Sequence, residues 1–146
     1  MIIGFTGTSN GMTQQQKRSV KKLLRELKPS EFHHGDCVGA DEQAHKFVLR
    51  FGSIKTIVHP PLNEKARAFV HKKYGASEVL EPKEYLERNK DIVTACDTLV
   101  ATPKGSQPRK EIRSGTWATI REGVKQGKKI RIVLPDGDVV DEIWLE

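Results

Sequence analysis

"DTLVATPKGSQPRKEIRSGTWATI", residues 97–120, decides the fold. It opens with an apolar run, 97–102, that reads as a buried strand. The run breaks at Pro103 into a loop carrying Gly105, Pro108, Lys104, Arg109, Lys110 and Arg113. Ser114 then offers the hydroxyl of a helix N-cap, with Gly115 and Thr116 as the first helical residues. Trp117, Ile120 and Val124 follow at helical spacing. A strand, a basic glycine-bearing loop and a helix start, in that order, are the parts of an anion site. The helix contributes free amides and the positive end of its dipole, and arginine can grip phosphate through two parallel hydrogen bonds. The loop's length is also that of a functional lid.

Outward from this stretch the same alternation recurs. "IIGFT" (2–6) is a short buried strand, followed by the loop "GTSNGM". Thr13 and Gln16 fit a capping box. Val20, Leu23, Leu24 and Leu27 then form one apolar helical stripe, closed by Pro29. "EFHHGD" (31–36) has weak strand propensity but lies where a strand is needed. Ala44, Phe47, Val48 and Phe51 repeat the helical spacing up to Gly52, and "IKTIVH" (54–59) is a third strand. A short helix is expected over 63–73, and a short strand or connector at "SEVLEP". A helix over 83–96 should turn Leu86, Asn89, Val93 and Cys96 inward. "KIRIVLP" (129–135) is the last core strand, and 136–146 forms a tail hairpin or an edge strand. Alternating strands and helices predict a single-domain, Rossmann-like, doubly wound α/β fold. Its mainly parallel sheet has helices on both faces. Ligands of such sheets sit at the strands' carboxyl ends, where the winding reverses.

Composition sets the bounds. The chain has 146 residues, 30% charged and 36% hydrophobic, which suits one globular core. No apolar run nears the ~20 residues of a membrane span, and "MIIGFTG" has no basic n-region or small-residue cleavage site, so no secretory signal is expected. Cys37 and Cys96 lack metal spacing, so a reduced, cytoplasmic setting is expected. The five histidines form no zinc pattern either, and His33 and His34 should point to opposite faces of their strand. The net charge of +6 favours anionic partners, nucleotides or nucleic acid.

The remaining loops refine the expected ligand. In "GTSNGMT" (7–13), Gly7 and Gly11 allow close backbone approach, and Thr8, Ser9 and Asn10 add side-chain donors. The spacing is neither a Walker A loop nor G-x-G-x-x-G. In "HGDCVGADEQA" (34–44), beginning at His34-Gly35, Asp41 and Glu42 fall in a first helical turn and would repel phosphate. A sugar hydroxyl suits that loop better, with Asp36 or Asp41 as acceptor. Arg88 and Asn89 add a polar pair. An inward Asn89 needs partners, either loop backbone or ligand.

Together "GFTGTSNG", "HHGDCVGADEQA", "ERNKDIV" before "DTLVATP", and "SGTWATIREG" resemble the SLOG superfamily of Rossmann-like nucleotide-binding domains. The resemblance covers about residues 1–135. Relatives include the LOG phosphoribohydrolases and the DNA-processing protein of natural transformation. The resemblance implies a nucleotide or nucleotide-derived ligand, with phosphate near Gly115, Thr116 and the first glycine loop. It also implies a cytoplasmic homo-oligomer; no separate cofactor is expected, and no metal on the histidine and cysteine spacing. The LOG motif P-G-G-x-G-T-x-x-E places its catalytic glutamate at Thr119 here, and "IRSG" replaces the paired glycines. A hydroxyl cannot steady an oxocarbenium-like centre as a carboxylate does. Binding or sensing is therefore expected ahead of N-glycosidic hydrolysis.

In this reading Gly7, Thr8, Ser9, Asn10 and Gly11 hold phosphate together with Arg113, Ser114, Gly115 and Thr116. Gly35, Asp36, Asp41, Arg88 and Asn89 complete the pocket. The alternative is a nucleotide N-glycosidase or ribosyltransferase acting through Asp41 or Glu122. A third reading is single-stranded nucleic-acid binding. It is disfavoured because none of the nine aromatic residues lies in a basic loop.

Overall fold

The computed structural model describes residues 1–106 and 114–141. The strands are β1 (Ile2–Gly7), β2 (Glu31–His34), β3 (Lys55–Val58), β4 (Glu78–Val79), β5 (Thr98–Thr102), β6 (Lys129–Val133) and β7 (Val139–Val140). They form a seven-stranded sheet in the order β4-β3-β2-β1-β5-β6-β7. All pairings are parallel except β6–β7. The helices are α1 (Gln14–Leu27), α2 (Ala40–Phe51), α3 (Val70–Lys73), α4 (Tyr85–Ala95) and α5 (Gly115–Lys125). This is the Rossmann-like α/β architecture that the alternation predicts.

One sheet face packs against α1 and α2 through Val20, Leu23, Leu24, Ala44 and Val48, centred on Phe5 and Phe32. The other packs against α4 and α5 through Val93, Cys96, Trp117 and Ile120. Winding reverses between β1 and β5, which pair from Ile3–Thr98 to Gly7–Thr102. The loops leaving Gly7 and Thr102 therefore lie side by side, as the sequence reading requires.

The capping box at Thr13 forms as expected. Thr13 Oγ1 accepts from the Gln16 amide, and Gln16 Oε1 accepts from the Thr13 amide, both at 3.0 Å. Gln16 is also buried, and its Nε2 donates to the carbonyls of Pro103 (2.9 Å) and Val133 (3.0 Å). One side chain thus caps α1 and ties down the start of the β5–α5 loop.

Three expected boundaries shift for local reasons. The strand at 31–36 stops at His34, because Asp36 takes a left-handed φ of 57°. The helix expected over 63–73 divides into a 3₁₀ turn, Glu64–Ala66, and the single turn α3. Asp36 causes this too: its carbonyl accepts from Ala68 N (2.8 Å) and its Oδ1 from Val70 N (3.0 Å), holding a non-helical break in which Phe69 takes a left-handed φ of 56°. The last strand ends at Val133 instead of running to 135. A turn through Gly137 (φ 94°) then returns β7 antiparallel along the edge.

Candidate functional site

A cavity of about 920 Å³ opens at the carboxyl ends of β1, β2 and β5. The β1–α1 loop, the β2–α2 loop, the outer side of α4 and the start of α5 surround it. Of the expected ligand residues, Gly7, Thr8, Ser9, Asn10, Gly35, Asp41, Arg88, Asn89, Ser114, Gly115 and Thr116 line it. Gly11, Asp36 and Glu122 are not among its lining residues. Arg109, Lys110 and Arg113 lie outside the described residues, as does most of the loop read as a lid. Lys104, at that loop's start, does face the cavity.

The β1–α1 loop is held by its own backbone. Thr8 N donates to Thr102 O (3.1 Å), and Thr8 O accepts from Gly11 N (3.1 Å) and Ala40 N (3.0 Å). The Thr8 hydroxyl accepts from Asn10 N at 3.2 Å. Thr8 is therefore mainly a turn former, and Ser9 and Asn10 are the exposed tip. The glycines serve packing more than ligand approach. A Cβ on Gly7 would lie 2.3 Å from Thr102 Oγ1 and 2.4 Å from Ala40 Cβ, while Gly11 sits against Gln43.

Facing this tip is the start of α5. The Ser114 hydroxyl caps it, accepting from Trp117 N at 3.3 Å. Among the described residues nothing accepts from the amides of Ser9, Gly115 or Thr116. Among the described residues, a Cβ on Gly115 would meet nothing within 4 Å. Thr119 is buried and its hydroxyl donates to Gly115 O at 2.9 Å, a bond within the helix. Glu122 faces Lys90 at 3.9 Å, linking α5 to α4.

The second loop settles where the two candidate acids go. Asp36 is fully buried, and its Oδ2 pairs with Arg67 Nε at 2.8 Å while Oδ1 holds Val70 N. Its carboxylate is committed to the 66–70 segment. Asp41 lines the cavity instead and is 4% exposed. Its Oδ2 accepts from the Gly35 and Cys37 amides, each at 3.2 Å, and its Oδ1 is buried without a hydrogen-bond partner among the described residues. Burial raises this carboxyl to about 6, against the downward pull of the Arg88 guanidinium and the two amides.

Arg88 is the residue on which the loop rests. Its Nη1 donates to Gly35 O (2.6 Å) and His59 O (3.2 Å), and its Nε to Asn89 Oδ1 (2.7 Å). The expected inward stripe on α4 exists, but only its lower half, Val93 and Cys96, meets the core. In the first turn Leu86 is 74% exposed and lines the cavity beside Tyr85. Cys37, Tyr85 and Leu86 are lining residues that sequence reading did not select as site residues. Tyr85 had a usable signal, an aromatic directly before "LERN" at a helix start.

Behind the loop lie two buried histidine pairs. As expected, His33 and His34 point to opposite faces. Asp36 N donates to His34 Nδ1 (3.0 Å), so His34 carries its proton on Nε2 and donates to His45 Nδ1 (2.9 Å). His45 Nε2 in turn donates to Gly75 O (2.8 Å), and every ring in this chain is neutral. On the other face His33 Nδ1 meets His59 Nε2 at 2.8 Å. Burial lowers His34 well below the usual imidazole range, with neighbouring His45 adding to it. Burial also lowers His45, and lowers His59 to about 4.

A pH dependence follows. A group depressed in the folded state gives stability that is full above its unfolded pKa and is lost as pH falls. The three histidines should erode stability from about pH 6.5. Asp41, raised to about 6, works the opposite way, gaining stability as pH falls through 6. Three imidazoles outweigh one carboxyl. The melting temperature should therefore fall steadily between pH 7 and pH 4.5, and a flat profile over that range would refute the neutral histidine chain.

No family model and no curated protein matches the sequence. Solved structures do match. The molybdenum cofactor binding protein from the phototrophic bacterium Rippkaea orientalis has a TM-score of 0.66 at 17% identity, over 91% of this chain and 76% of that one. DNA processing protein A (DprA) from Streptococcus pneumoniae has a TM-score of 0.65 at 20% identity, over 90% of this chain and 49% of that one, so the chain spans about half its length. TM1055, a structural-genomics target, has a TM-score of 0.62 at 14% identity, over 88% and 71%. These likenesses show the fold: the chain shares the Rossmann-like α/β architecture expected from the sequence with these three proteins. Among the described residues no helix is long and apolar enough to cross a membrane.

Proposed function

We propose that this chain binds a nucleotide or nucleotide-derived small molecule in the cavity between β1 and β5. The observation that carries this reading is that, among the described residues, the amides of Ser9, Gly115 and Thr116 donate to no protein acceptor. The Ser9–Asn10 tip and the amides of Gly115 and Thr116 border one open volume, with Lys104 beside them. Such an arrangement attracts a phosphate by dipole, hydrogen bond and charge together. Asp41 Oδ1, without a hydrogen-bond partner among the described residues, suits a sugar hydroxyl, and Tyr85 with Leu86 offers an apolar border to a base. The homo-oligomer implied by the family resemblance belongs to the same proposal.

Gly115→Asp tests it. The substitution has room and places a carboxylate at a helix N-terminus, where the dipole favours it. The variant should fold with unimpaired stability yet lose all nucleotide-induced thermal stabilisation. An undiminished shift across a nucleoside mono- and diphosphate panel would reject the phosphate site.

A second reading, N-glycosidic hydrolysis, is favoured by one observation. Asp41 is a cavity carboxyl held near neutrality, able to accept or give a proton at physiological pH. Release of free base or ribose phosphate on long incubation, abolished in Asp41→Asn, would support it. A complete absence of product from the common nucleotides would leave binding alone.

A further inference from the structure

The cavity does not account for where the chain keeps its charge. Residues 14–28 hold six of the 25 basic residues and one of the 19 acidic ones, so this segment carries +5 of the net +6. The segment is α1 with its C-cap Lys28. Val20, Leu23, Leu24 and Leu27 face the core, while Arg18, Lys21, Lys22 and Arg25 repeat the same i, i+3, i+4, i+7 spacing on the opposite side. Lys28 extends the stripe, and from Arg18 it runs about 15 Å along the axis. No residue of α1 lines the cavity.

This helix is built against its own stability. Like charges at i,i+3 and i,i+4 repel. The first turn contains no acid, although the dipole favours one there. Lys22–Glu26, at 3.8 Å, is the one ion pair that α1 makes among the described residues, and both side chains are largely exposed. Lys21 lies over the Phe47 ring of α2, 4.6 Å from its centroid, which fixes its position at the helix junction. Asp136 and Asp138 flank Gly137, whose carbonyl accepts from Ser19 Oγ at one edge of the helix. A solvated helix face made for solubility would interleave signs. The outer face of this one carries Arg18, Lys21, Lys22, Arg25 and Lys28 against a single carboxylate, Glu26.

We propose that the outer face of α1 binds the phosphate backbone of duplex nucleic acid, independently of the cavity. Two features select this polyanion. Among the described residues, α1 exposes no large apolar side chain, so it lacks the inserting face of a membrane-surface helix. It also contains no aromatic residue on which unpaired bases could stack, unlike a single-strand platform. What remains is a rigid row of cations, which suits regularly spaced phosphates and carries no sequence preference.

Fluorescence anisotropy with a short mixed-sequence DNA duplex tests this, from about 50 to about 200 mM salt. Engagement of four basic groups should give a slope of log affinity against log salt of roughly −4, at ~0.9 per phosphate. Arg18→Glu/Arg25→Glu should lower affinity at least about tenfold at the lower salt, because two phosphate contacts become repulsive. Lys65→Glu/Lys125→Glu makes the same change in net charge at exposed positions elsewhere and should bind nearly as the parent does. Circular dichroism melts confirm that both variants fold, and the nucleotide-induced thermal shift should survive in both. The proposal is overturned by absence of duplex binding, by equal losses in the two variants, by tighter binding of the matching single strand, or by binding to phosphatidylserine vesicles without binding to duplex.

Discussion

Gly39→Ala is expected to destabilise the protein by about 3 kcal/mol or more, combining strain and overpacking. Gly39 precedes α2 with φ 88° and ψ −125°, a conformation that residues with a Cβ avoid. A Cβ there would lie 2.4 Å from Ser9 O and 2.8 Å from Thr8 O. Both obstacles are main chain, and Thr8 O is already held by Ala40 N and Gly11 N. Relief therefore requires the β1–α1 loop and the β2–α2 loop to move apart, which opens the cavity. Gly75→Ala is the matched control. Its φ is 85°, but its Cβ would meet nothing within 4 Å. It should cost only about 1 kcal/mol, the strain alone. Urea unfolding of the two variants separates the contributions, and equal losses would show that the loops are not in tight contact.

Arg88→Met is expected to lose about 3 kcal/mol or more, because buried acceptors are left without donors. The side chain is 5% exposed and reaches the carbonyls of Gly35 and His59 and the Asn89 side chain. Methionine fills much of the volume and satisfies none of them. The loss should also reach the site. Without the guanidinium that pulls it down, the Asp41 carboxyl should titrate higher still, as carbon-13 NMR of the carboxyl would register. Gly35 would lose the contact that orients it, since its own missing Cβ leaves the space for Arg88 Nη1. Denaturation near the parental midpoint, with an unmoved Asp41 titration, would show that Arg88 does not organise the loop.

The parts of this fold that were legible in the sequence are those that local chemistry determines. Thr13 and Gln16 state a capping box in four residues, and it forms. The apolar run at 97–102 and the Ser114 cap placed β5 and the start of α5 to within a residue. What escaped depends on contacts distant in the chain. Nothing local distinguishes Asp36 from Asp41. A left-handed φ at Asp36 sends its carboxylate to Arg67 and Val70, more than thirty positions away, and leaves Asp41 for the cavity. Arg88 read as an accessory to Asn89, yet its partners lie at residues 35 and 59. Leu86 kept its helical phase but lies against the cavity instead of the core.

The central claim is that one anionic group sits between the β1–α1 tip and the start of α5. Amide chemical shifts of the nitrogen-15 labelled protein, titrated with a nucleoside 5′-monophosphate, measure this most directly. The account predicts saturable shifts at Ser9, Asn10, Gly115 and Thr116, with the α2 C-terminus around Arg50 unmoved. Saturable binding that leaves those four amides still would contradict it.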